Sequence, residues 1–267
     1  MCWLKRVHSL HSDDIYTFKE MNNHNFFVLQ GKQICSLIRY AIMLEGLSDI
    51  QKTYVGCIGH ADLMSTPKMK IRRILCQKIA NTYDPDLDAF VICGKPVKIS
   101  LQEVEHITGL PSIGKSLAPE QLQSHMDLWA AMKDPDDTKI TLSGLLTKLK
   151  DDQTANFVRP FVLYTIGVYL CPTTQPYIDN RYLGIVRNLQ TIKSTNMAQL
   201  TLDHLMSCVR KYVGGAANLE GNLPLLQVMG TYTTYLPMMH YFYITNILTP
   251  YYCATDMVLR EVSSTRT

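Results

Sequence analysis

A chain of 267 residues with 46% hydrophobic and 18% charged side chains carries enough apolar material for a sizeable core. That excludes a disordered tail and fits one large domain or two closely packed small ones. The formal net charge of +3 is too mild to demand a nucleic-acid partner by charge alone.

Leu29 to Leu47 predicts a helix, because Ile34, Leu37, Ile38, Ala41 and Ile42 recur at helical spacing and Gly46 offers an end. A second short helix runs from Ser48 towards Cys57. Thr66 stands where an N-cap would, with Pro67 at the first helical position. The helix it predicts places Ile71, Ile74, Leu75 and Ile79 on one face. Tyr83-Asp84-Pro85 breaks it. Ala89 to Cys93 and Val97 to Ser100 flank Gly94-Lys95-Pro96 and read as a small hairpin whose ladder Pro96 limits.

Ser100 and Glu103 form the pattern of a capping box, and Gly109 with Pro111 ends that helix. Pro119 opens a helix through Trp129. Lys133 to Lys139 is a polar loop, and Thr141 starts a helix through Leu149. Asp151-Asp152 is a second polar break, where the domain divides if it divides at all. Phe157 to Cys171 is an apolar helix stopped by Pro172. A Tyr-Leu segment follows. Ser194 to Gly215 is the clearest helix, with Ser194 or Thr195 as cap. Met197, Leu200, Leu205, Cys208, Val209 and Tyr212 make its apolar face, and Arg210 and Lys211 suit its negative end.

Gly221 to Thr255 holds no Asp, Glu, Lys or Arg. Pro224, Pro237 and Pro250 interrupt it, so it reads as a buried aromatic-rich layer rather than a membrane span. Ser263 to Thr267 reads as a loose tail. The expected fold is mainly α, a compact multi-helix domain of about ten helices with one small β-hairpin. Phe161, Leu163, Ile166, Leu170, Leu183, Leu200, Leu205 and Leu226 are its expected core.

Eight cysteines contain no C-x-x-C pair, and the opening reaches Asp13 without an apolar leader. Reduced, buried thiols of the cytosol or nucleus are the expectation. Gly109 to Ser116, GLPSIGKS, matches the P-loop spacing literally. A true P-loop needs a strand before it and a helix starting at the lysine. Here a helix precedes, and Pro119 blocks the helix that Lys115 would need. Asp84, Asp86 and Asp88 imitate the start of a calcium loop, but Ala89 and Lys95 stand where Gly and Glu belong. Cys57 and His60 have ligand-like spacing without an answering pair, and His8 and His11 could share a helix face. His204 reads as a partly buried packing residue. No G-x-S-x-G elbow occurs, and no local pattern selects a Cys–His pair.

Lys68, Lys70, Arg72 and Arg73, with Lys78, form the one basic cluster and are the candidate nucleic-acid contacts. At about 100° per residue they scatter around the predicted helix, so a solvated helix is the plainer account. The aromatics Tyr232, Tyr235, Tyr241, Phe242, Tyr243, Tyr251 and Tyr252 could stack bases, although packing is their commoner use. No catalytic, cofactor-binding or metal-binding residue is assigned.

Four blocks occur in order: Leu47 to Met64, Tyr83 to Gly114, Phe157 to Tyr212 and Gly221 to Gln227. Together they resemble the aminotransferase-like plant mobile domain, and the similar domains that precede ubiquitin-like-protein proteases in plant transposons. The resemblance implies residues 1–46 as a divergent helical segment, 47–236 as the domain, and 237–267 as an aromatic-rich end. It also implies a nuclear, transposon-derived protein that works by protein interaction, with a link to transposon biology or gene silencing. It implies no pyridoxal chemistry and no cofactor, since no Schiff-base lysine site can be assigned. Nucleic-acid binding by Lys68, Lys70, Arg72 and Arg73 is the alternative, and a remnant without selected function is another.

Overall fold

The computed structural model describes residues 37–116 and 125–231. The first element, α1 (Leu37–Glu45), buries Leu37, Tyr40, Ala41, Met43 and Leu44. Residues 29–36 of the helix expected here lie outside the described residues. In α2 (Asp49–Cys57) Ser48 caps the first turn, and Gln51 reaches back to the Ser48 N–H at 2.9 Å. The other end of the Gln51 amide donates to Leu149 O at 2.7 Å and Asp152 O at 2.9 Å. One buried side chain therefore starts a helix and ties it to a distant one.

A short 3-10 turn (Ala61–Ser65) follows. The helix predicted from Thr66-Pro67 does not form there. Residues 66–72 are non-helical, and α3 spans Arg73–Ala80 with Arg72 at its N-cap position. Of the predicted face, Ile79 is buried and Ile71 and Leu75 pack partly against the core, whereas Ile74 is 71% exposed; Cys76 and Ala80 complete the inward side.

The predicted hairpin is one half of a three-stranded antiparallel sheet, β1 (Tyr83–Asp84), β2 (Ala89–Ile92) and β3 (Lys95–Val97). Ile92 pairs with Lys95, which makes Cys93-Gly94 the turn. Both turn residues have positive φ, 51° and 73°, as a tight two-residue hairpin turn requires. Lys95 and Pro96 therefore belong to the strand rather than the turn, and Pro96 is tolerated because β3 is an edge.

Helix α4 (Leu101–Thr108) carries the expected Ser100–Glu103 capping box and ends at Gly109 with φ 72°. Of the helix expected from Pro119, residues 117–124 lie outside the described residues, and α5 spans Met126–Met132. Thr141 caps α6 (Leu142–Asp151) through the Gly144 N–H at 3.1 Å.

The apolar helix is α7 (Val158–Thr165) running into a π turn (Ile166–Leu170), and Cys171 N–H closes it on Ile166 O at 2.7 Å. Asn222, fully buried, donates to the Tyr169 carbonyl at 2.9 Å and satisfies a group that the wide turn leaves open. A 3-10 stretch (Asn180–Arg187) forms the Tyr-Leu segment, and α8 (Leu189–Ser194) follows it. The last long helix, α9 (Met197–Val213), is capped by Asn196, not by Ser194 or Thr195. Ser194 ends α8, and the Thr195 hydroxyl bonds back to Thr191 O at 2.7 Å, so Asn196 is the residue left to cap.

Residues 223–231 are helical and add Leu223, Leu225, Leu226, Val228 and Met229 to one apolar core that begins at Leu37. All eight expected core residues are buried. At its centre Tyr40 stacks on Tyr169 with ring centroids 5.0 Å apart, and its hydroxyl meets Thr165 Oγ1 at 3.1 Å. Helices α6 and α7 pack together across the Asp151-Asp152 break. Among the described residues no helix is long and apolar enough to cross a membrane.

Candidate functional site

The basic segment is shaped by a residue far along the chain. Gln227 Oε1 accepts the Arg72 N–H at 2.6 Å, and Gln227 Nε2 donates to the Lys70 carbonyl at 3.2 Å. These bonds take the two backbone groups that a helix through 66–73 would use internally. Exposure then alternates along the segment: Lys68, Lys70 and Arg72 face solvent, while Met69 and Ile71 are half-buried. The cations expected to scatter around a helix instead share one side. Arg73 is also exposed but begins α3, and Lys78 lies further along that helix. Lys68 Nζ meets Glu45 Oε2 at 2.7 Å, a pair about half open to water.

The P-loop-like segment is a packing loop. Lys115 N–H donates to Ser194 O at 2.6 Å, and Lys115 O accepts the Asn196 N–H at 3.0 Å. Asn196 Nδ2 donates to Ser112 O at 2.5 Å. Gly114 sits at φ 134°, and a Cβ there would lie 2.7 Å from Ser194 O. A helix precedes this loop, and its Lys115 backbone bonds the α8–α9 junction instead of turning towards a phosphate.

The acidic trio closes a turn. Asp84 Oδ1 accepts from Asp86 N–H at 2.8 Å and Leu87 N–H at 3.2 Å. Asp88 takes the Tyr83 hydroxyl at 2.5 Å and Arg210 Nη2 at 2.8 Å, while Arg210 Nε donates to Tyr83 Oη at 3.0 Å. The Tyr83 and Arg210 hydrogen bonds hold the Asp88 carboxyl below its usual range. Arg210, expected to serve its own helix end, fastens α9 to the β1–β2 turn.

His60 is buried, and burial pushes its imidazole down to about 4, whereas Cys57 is exposed. Among the described residues no group of three His, Cys, Asp or Glu side chains could hold a metal ion. The expectation of buried thiols holds for Cys76, Cys171 and Cys208 but not for Cys57 and Cys93, which are exposed. Cys2, Cys35, Cys253, His8, His11, and the aromatics from Tyr232 onward lie outside the described residues.

One pair went unread in the sequence. Cys208 Sγ lies 3.5 Å from His204 Nε2, one helical turn apart on α9. Burial lowers the His204 pKa, outweighing the Pro172 backbone beside the ring, which raises it. Burial also raises the Cys208 thiol to about 11. A reactive dyad needs the opposite shifts, towards thiolate and imidazolium. Beside Cys208 is a depression of about 200 Å³ lined by Lys211, Asn218 and Glu220. Glu220 is occupied there by the Thr174 N–H and hydroxyl, at 2.8 and 2.7 Å. The i,i+4 spacing of His204 and Cys208 on a well-marked helix was the signal available.

A family model described as "Domain of unknown function (DUF8566)" matches residues 34–227. No curated protein and no solved structure matches.

Proposed function

The chain belongs to the DUF8566 family, and we propose that it is a non-enzymatic interaction domain of a transposon-derived plant nuclear protein, acting in transposon biology or gene silencing. The ordered blocks between Leu47 and Gln227 that resemble the plant mobile domain support the plant, transposon and nuclear parts of this reading. The observation that carries the interaction part is the row of Lys68, Lys70 and Arg72 on the solvent side of a segment latched by Gln227. A contact surface whose backbone is already fixed loses less entropy when a partner arrives. The neutral His204–Cys208 pair supports the non-enzymatic part, since an undissociated thiol is a poor nucleophile.

The test uses the full chain immobilised beside a Lys68→Glu, Lys70→Glu, Arg72→Glu variant, each incubated with plant nuclear extract. Retained proteins and nucleic acids are identified by mass spectrometry and sequencing. The reading expects specific partners on the parent chain and their loss from the variant. Equal retention by both chains removes this row as the contact surface.

A further inference from the structure

We infer that this row holds the backbone of a single-stranded nucleic acid, an inference that rests on the interaction reading above. Lys68, Lys70 and Arg72 occupy every second position of a non-helical segment. An uncoiled chain advances roughly 3.3 Å per residue, which spaces the cations roughly 6.6 Å apart. That is close to the step between successive phosphates along one strand. In a helix, residues two apart point about 200° away from each other, and no such track would exist. Gln227 fixes the track at two backbone points, Lys70 O and Arg72 N–H, so the spacing is set before binding.

The end of the track favours a single strand over a duplex. Ile74 is 71% exposed in the first turn of α3, directly after the cations. Unpaired bases offer apolar faces to such a side chain, whereas a duplex keeps them in its own stack. The Lys68–Glu45 pair does not oppose binding. Surface pairs of this kind contribute about 1 kcal/mol or less, and a phosphate oxygen can replace the Glu45 carboxylate.

Fluorescence anisotropy of the full chain tests this with labelled oligothymidine of about 20 nucleotides, longer than a small binding fold covers, and a duplex of equal length. Single strand is expected to bind more tightly than duplex. Lys68→Gln, Lys70→Gln and Arg72→Gln together should weaken it ~10-fold or more and reduce the salt slope by about 2, at ~0.7 per lost phosphate contact. Ile74→Ser should weaken single-strand binding with the salt slope unchanged. All four positions are exposed, and circular dichroism checks that the variants keep their fold. Equal duplex binding, or an unchanged slope in the triple variant, overturns the inference. If nuclear-extract retention still depends on the cations in that case, the interaction reading stands with a protein partner. If it does not, the row is removed as a contact surface for nucleic acid and protein alike.

Discussion

Gln227 grips Arg72 by its backbone rather than its side chain, accepting the Arg72 N–H at 2.6 Å while its amide nitrogen reaches the Lys70 carbonyl at 3.2 Å. The two contacts use both ends of one amide and bring together positions 155 residues apart. They decide where α3 begins, and so where the lysines point.

Replacing Gln227 with Met keeps the volume and removes both bonds. Gln227 is 8% exposed and its two bonds are part-buried, so the backbone groups it leaves are only partly open to water. The expected loss is about 1–2 kcal/mol of stability, the two lost hydrogen bonds being partly replaced by water, read from urea midpoints. Gln227→Glu can still accept from Arg72 N–H but cannot donate to Lys70 O, so it should fall between Met and the parent at neutral pH. A Met variant as stable as the parent would show that the latch adds nothing.

Stability should decline below neutral pH because of His60. Its folded imidazole titrates near 4, against an ordinary value of 6.5, because burial disfavours the charged form. Above 6.5 both folded and unfolded chains carry it neutral, and its contribution is complete. Between 6.5 and 4 only the unfolded chain takes up the proton, so stability is lost as pH falls. Below 4 the loss levels off. The total is on the order of 3 kcal/mol. Urea midpoints across this range check it, and His60→Leu should flatten the slope. An equally steep slope in that variant would assign the effect to other groups, His204 first, since burial lowers it as well.

The native thiols should separate into two sets under iodoacetamide. Cys57 and Cys93 are exposed and should be alkylated in the folded chain. Cys76, Cys171 and Cys208 are buried, and burial pushes them up to about 11, 12 and 11. At a pKa near 11 only on the order of one thiol in ten thousand is thiolate at neutral pH. They should react only in denaturant, as mapped by mass spectrometry. Rapid native labelling of Cys208 would contradict a neutral His204–Cys208 pair.

What the sequence reveals here is mostly what neighbouring residues decide among themselves. Ser100 and Glu103 cap α4 as their three-residue spacing implies, and the apolar run from Phe157 packs as a buried helix. Local signals fail where a distant residue outbids them. Thr66-Pro67 carries good helix-start chemistry, yet Gln227 claims the backbone that the helix needed. Ser194, Thr195 and Asn196 are all fit to cap α9, and the choice falls to Asn196, which also bonds Ser112 O and Lys115 O from another loop. Strand β1 is two residues long, too short for any alternation to show, and exists because Phe90 and Ala89 pair with it. The candidate cations were visible by type, but their alignment depends on Gln227 and so was not.

Gly109→Ala should expose how tightly the turn before the basic segment is held. Gly109 ends α4 at φ 72°, and a Cβ there would lie 2.6 Å from the Asp62 Cβ. Two costs therefore combine. The left-handed conformation costs an L residue roughly 1–2 kcal/mol wherever it occurs. The close approach must push α4 away from the 3-10 turn holding Asp62, the turn that leads into residues 66–72. Asp62→Gly removes the obstructing atom and leaves the conformational cost in place. Added to Gly109→Ala, it should recover only the steric part of the lost stability, so the two changes should couple favourably in a double-mutant cycle. The two changes adding independently in urea denaturation would mean that Asp62 and Gly109 do not touch as described.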